Sequence, residues 1–129
     1  MNKNIDKIIH HLTKLSTVDC YNELVFVMGY TPKHASQILG VMIFDDIKFS
    51  PHEVVMGGSQ WSDNFPYIDK GEGGWFSVVG GPHGVYGDGI STFEVWREGI
   101  PDVLSYLSKE EVTIELLKCQ QRDIKKEYL

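Results

Sequence analysis

The chain has 129 residues, a length at which one domain buries an ordinary core, and its 42% apolar and 23% charged residues exclude general disorder. No run of about 18 apolar residues occurs, which excludes a helical membrane span, and Met1–Ser16 lacks the apolar stretch and small-residue cleavage site of a secretory leader. A single α+β domain over residues 1–129, soluble and cytoplasmic, is the expectation.

The net charge of −6 is unevenly spread. Residues 1–18 hold three lysines against one acid, and residues 109–129 balance five bases with five acids. Residues 19–108 carry twelve acids against Lys33, Lys48, Lys70 and Arg97. A field of that sign repels phosphate backbones and attracts basic partners.

Ile5, Ile8, Ile9, Leu12 and Leu15 recur at spacings of three and four, which predicts a first amphipathic helix with its stripe facing a core. Thr17 then reads as an N-cap, with Tyr21, Leu24, Val25 and Met28 on one face and Gly29 at a left-handed stop. The competing reading makes Leu24–Met28 a buried strand, because Val25, Phe26 and Val27 favour β structure. Thr31-Pro32 restarts a helix, with Ala35, Ile38, Leu39, Met42 and Ile43 at helical spacing. Ser50-Pro51-His52-Glu53 reads as a capping box for a short helix ending near Gly57, so residues 1–56 are expected to be mainly helical.

The texture changes at Gly57. Residues 57–99 contain eleven of the thirteen glycines and eight of the fifteen aromatic residues, which predicts strands and tight loops. Trp75–Val79 and Ile90–Trp96 are the strand candidates, and a small antiparallel sheet built mainly from residues 74–96 follows. Residues 100–129 read as helical again. Pro101–Leu107 makes a short helix, and Ser108-Lys109-Glu110-Glu111 is a capping box for a last one. Val112, Leu116, Leu117 and Ile124 supply its apolar face, and the polar stretch from Lys118 to Lys126 is expected to be solvated. The fold class is therefore α+β, with N- and C-terminal helices packed on a small antiparallel sheet.

Several patterns bear on chemistry. Residues 20–44 have the outline of a helix-turn-helix, in which Lys33, His34, Ser36 and Gln37 would face a major groove. The apolar run Gly40–Phe44 and the scarcity of Lys and Arg oppose that reading, so nucleic acid is not an expected partner. Histidines 10, 11, 34, 52 and 83 form no known ligand spacing, and His10 and His11 are adjacent, about 100° apart on a helix. His83, Asp88 and Glu94 are the weak candidates for a metal or general-base site, against the simpler reading of His83 and Asp88 as turn residues. The glycines match no phosphate loop, no serine sits in a nucleophile elbow, and no cofactor is expected. Cys20 and Cys119, 99 positions apart, read as two buried thiols, and a disulfide between them would need an oxidising compartment.

The stretch from Gly57 to Glu72 is the remaining candidate. It sets Trp61, Phe65 and Tyr67 beside Asp63, Asp69 and Glu72, with aromatics for contact area and acids to steer a basic protein. The alternative is that these aromatics pack beneath the loop. The resulting expectation is a non-enzymatic acidic binding protein that masks a basic protein partner, of immunity-protein or phage-inhibitor type. The alternatives are a helix-turn-helix DNA-binding regulator through residues 20–44 and a small metal-dependent hydrolase around His83.

Overall fold

The structure, a computed structural model, describes residues 3–47, 50–54, 58–66, 75–81 and 86–129, with Lys3, 50–54, 58–66 and Trp75 as backbone. Its elements are α1 (Lys3–Thr13), α2 (Thr17–Asn22), a π turn (Glu23–Val27), α3 (Pro32–Leu39), five strands and a final helix α4 (Lys109–Leu117). The strands are β1 (Ser50–Val54), β2 (Gly58–Pro66), β3 (Trp75–Gly80), β4 (Phe93–Arg97) and β5 (Leu104–Leu107). They form one antiparallel sheet in chain order, β1-β2-β3-β4-β5. The α+β architecture with helices packed on a sheet is thus present. Among the described residues no helix is long and apolar enough to cross a membrane.

The helical signals are read locally and mostly hold. Thr31 caps α3 by accepting the His34 N–H at 3.1 Å, and Pro32 occupies the first turn. Ser108 and Glu111 close a reciprocal capping box on α4. Gly29 takes φ +81°, the left-handed conformation that favours glycine. The segment before it is helical, ending in a π turn in which the Met28 N–H donates to the Glu23 carbonyl. Tyr21 and Leu24 face the core there, while Phe26 and Val27 project outward.

Several expectations are corrected. The cap of α2 is Ser16, whose hydroxyl accepts the Asp19 N–H, because the Thr17 hydroxyl turns inward and donates to the Gln120 carbonyl at 2.9 Å. Helix α3 stops at Leu39 rather than continuing to Ile43. Gly40 at φ +62° ends it, and a Cβ there would meet the Asp123 carbonyl at 3.1 Å.

Ser50–Val54 is a strand, not a capped helix. Pairing in register with Gly58–Ser62 supplies it with partners, and Pro51 is tolerated because β1 is an edge of the described sheet. Leu104–Leu107 is likewise a strand, joined to β4 through Phe93↔Leu107 and Val95↔Leu104 with a bulge between. Seven residues with Val103, Leu104 and Tyr106 among them gain more from a sheet edge than from an isolated turn of helix. The sheet consequently extends well beyond residues 74–96.

Two apolar clusters meet at α4. One joins Leu12, Cys20, Tyr21, Leu24, Ala35, Ile38, Leu39, Val41 and Ile43 with Leu117. The other joins Ile47, Phe76, Val78, Phe93, Val95, Val112 and Cys119 with Leu116. Consecutive leucines of one helix thus enter the helical layer and the sheet layer, which ties the two together. Burying each leucine contributes about 1.5–3 kcal/mol.

The segment after α4 is not a solvated tail. Asp123 and Lys125 donate their backbone N–H groups to the Leu39 and Ile38 carbonyls at 2.8 and 2.7 Å, which satisfies two acceptors at the end of α3. Ile124 and Leu129 pack on the first cluster. The Arg122 guanidinium donates to the Thr13 carbonyl at the end of α1.

Candidate partner-binding surface

The sheet has one face toward α4. Phe76 and Val78 of β3 and Phe93 and Val95 of β4 are buried there, and Arg97 closes the row by donating to Glu115 of α4 at 3.0 Å. Glu115 also accepts from Lys118 at 2.8 Å. Burial pushes the Glu115 carboxyl up, but the hydrogen bonds from Lys118 and Arg97 prevail and hold it below the usual carboxylate range. The other face carries the alternate rows Ser77↔Trp96 and Val79↔Glu94.

That second face is acidic and aromatic where it reaches the sheet edge. Tyr86, Trp96 and Tyr106 are 54%, 46% and 61% exposed. Glu94 accepts the Tyr86 N–H at 3.2 Å, and the Tyr106 N–H donates to the Tyr86 carbonyl at 2.9 Å. The two tyrosine rings stand edge to face with centroids 6.1 Å apart and planes inclined at 68°. Residues 86–107 contain Asp88, Glu94, Glu98 and Asp102 against Arg97 alone, and Arg97 is turned toward Glu115.

Two local devices hold this arrangement. Asp88 Oδ1 accepts the backbone N–H groups of Ile90, Ser91 and Thr92, at 2.8, 2.8 and 3.1 Å, and Oδ2 accepts the Ser91 hydroxyl. Those bonds pull its carboxyl far below the ordinary range. The second device is the β5 bulge, which places Tyr106 at φ +57°. A left-handed backbone at a residue other than glycine costs on the order of 1–2 kcal/mol. The exposed Tyr106 ring recovers little of this through burial.

The residues singled out by sequence are distributed as follows. Positions 61, 63 and 65, occupied by Trp61, Asp63 and Phe65, lie in β2 in register with Gly80, Val78 and Phe76. Tyr67, Asp69 and Glu72 lie outside the described residues, as does His83. Asp88 is a turn residue whose carboxylate oxygens are engaged by its own loop. Glu94 sits on the open face beside Tyr86. Among the described residues no group of three or more His, Cys, Asp or Glu side chains is placed to hold a metal ion.

The helix-turn-helix outline also changes in space. Ser36 is buried and donates to the Lys33 carbonyl, while His34 donates to the Tyr128 carbonyl and packs edge-on against Tyr30. Of the four residues only Lys33 and Gln37 are exposed. Cys20 and Cys119 are buried free thiols, as expected.

Sequence reasoning passed over Tyr86 and Tyr106. Tyr106 fell inside the short helix expected at Pro101–Leu107, and Tyr86 stood between turn signals. The available signal was local: two tyrosines and four acids lie within the 22 residues from 86 to 107, which contain one base. No protein-family model, no curated protein and no solved structure matches this chain.

Proposed function

We propose that the protein is a non-enzymatic binding protein that masks a basic protein partner, in the manner of an immunity protein or a phage-encoded inhibitor. The observation that carries the reading is the exposure of Tyr86, Trp96 and Tyr106 on the acidic segment 86–107. Tyrosine and tryptophan give large contact area at low entropic cost, and acids around them raise the encounter rate with a cationic surface. Asp63, Asp69 and Glu72 belong to the excess of twelve acids over four bases in residues 19–108.

Capture from native lysate on the immobilised chain tests this. The expected result is one basic protein retained in stoichiometric amount at low salt and released as ionic strength rises. Replacing Asp63, Asp69 and Glu72 with Asn or Gln should weaken its retention while leaving the fold intact. Recovery of no basic protein under any salt condition would remove the proposal.

A further inference from the structure

Residues 121–129 run along α3 in the opposite direction, from its C-terminal end back to its first turn. The Asp123 N–H donates to the Leu39 carbonyl, the Lys125 N–H to the Ile38 carbonyl, and the Tyr128 carbonyl accepts from the His34 ring. Arg122 adds a bond to the Thr13 carbonyl at 2.7 Å, where α1 ends. Attachment changes in kind at Gln120. That residue is 5% exposed, its carbonyl accepts the Thr17 hydroxyl, and its amide holds Met42. Beyond it no residue from 121 to 129 is buried, and Ile124 and Leu129 are half-buried on the first cluster. The segment closes with a single 3-10 turn, Lys126–Tyr128, in which the Tyr128 N–H donates to the Lys125 carbonyl. One such turn does not hold itself in water, because fixing its residues costs more entropy than its bonds return. It persists only while docked on α3, so docking and turn are lost together.

We infer that residues 121–129 form a latch that leaves α3 as one unit, hinged at Gln121, while the rest of the domain stays folded. Opening gives the Ile38 and Leu39 carbonyls at the end of α3 to solvent and uncovers the part of the first cluster beneath Ile124 and Leu129. Gln120 stays in place through Met42 and Thr17, so the two apolar clusters remain joined. A segment held by main-chain bonds and two half-buried side chains belongs at the low end of the opening energies within a fold. The inference is independent of the binding reading above.

Native-state amide exchange of the full chain, read by NMR, tests the latch. Asp123 and Lys125 are expected to share one protection factor, about tenfold or more below that of Leu116 and Leu117 in α4. Arg122→Ala cuts the latch at one end, and His34→Phe cuts it at the other while keeping a ring against Tyr30. Each variant should speed exchange of both amides by about two- to tenfold, the loss of one hydrogen bond. Val78→Ala hollows the buried sheet layer, so Leu116 and Leu117 should exchange about tenfold faster or more. Asp123 and Lys125 should keep their parent rates in that variant, because the open and closed latch share the same damaged core.

Asp123 and Lys125 exchanging as slowly as Leu116 and Leu117, and accelerating in step with them in Val78→Ala, would overturn the latch, since the segment would then be released only by global unfolding. An effect of Arg122→Ala on Asp123 alone, or of His34→Phe on Lys125 alone, would also overturn it, by showing two ends that fray separately.

Discussion

The side-chain amide of Gln120 grips the backbone of Met42 from both sides, accepting its N–H and donating to its carbonyl, each at 2.8 Å. The same amide nitrogen reaches the Leu116 carbonyl at 3.3 Å. Thr113 completes the arrangement by accepting the Phe44 N–H at 3.0 Å. Residues 41–43 run without helix or strand between the two apolar clusters, so their polar groups need partners from elsewhere. Gln120 and Thr113 provide them from α4 and the residues just after it.

Replacing Gln120 with Leu therefore leaves the Met42 N–H and carbonyl without their side-chain partner in a half-buried setting. The expected loss is about 2–4 kcal/mol, since each unsatisfied group costs about 1–3 kcal/mol. Urea unfolding should show a lower midpoint with an unchanged slope. A loss below the error of the measurement would mean that water replaces the amide.

The Arg97–Glu115–Lys118 group makes stability depend on pH. Because the folded carboxyl of Glu115 lies below its ordinary value, its contribution is fully present above the unfolded carboxylate range and is lost as pH falls through the folded value. Glu115→Gln should cost about 1–2 kcal/mol at neutral pH, where it removes charge-assisted hydrogen bonds to Arg97 and Lys118. The difference between the two proteins should shrink toward zero in acid. A constant difference down to pH 2 would assign the cost to packing instead.

The two thiols should be silent in the native state. Cys20 donates to the Leu12 carbonyl at 3.0 Å in the first cluster, and burial raises its thiol above the ordinary value. Cys119 lies in the second cluster and donates to the Glu115 carbonyl. Ellman's reagent should find no fast-reacting thiol until denaturant unfolds the chain, when both react together.

Asp88 shapes the loop that presents Tyr86. Asp88→Ala removes the acceptor of three backbone N–H groups, so amide exchange at Ile90, Ser91 and Thr92 should accelerate sharply. Asp88→Asn keeps one carbonyl acceptor and should fall between. Equal exchange in all three proteins would show that the loop is held by Gly89 and Thr92 alone.

The helical ends were legible because capping is a local signal. Ser108 with Glu111 and Thr31 with Pro32 announce their helices within four residues. The strands at Ser50–Val54 and Leu104–Leu107 were not, because each is fixed by a neighbour distant in sequence or by a bulge, and Ser-Pro-His-Glu satisfies a helix rule equally well on paper. The stretch after α4 was misjudged for the same reason. Its polarity is ordinary, but Asp123 and Lys125 are held through main-chain groups that no side-chain pattern reveals. The acidic, aromatic character of the surface was visible in composition. The exposure of Tyr106 was not, because it lies at the bulge between β4 and β5, where its backbone is left-handed.

The most direct test of the binding claim is the association rate with the captured basic protein as a function of ionic strength. An acidic surface that steers a cationic partner predicts a rate falling about tenfold or more from low to physiological salt, with a shallower fall for Glu94→Gln. A rate independent of salt in both proteins would contradict it.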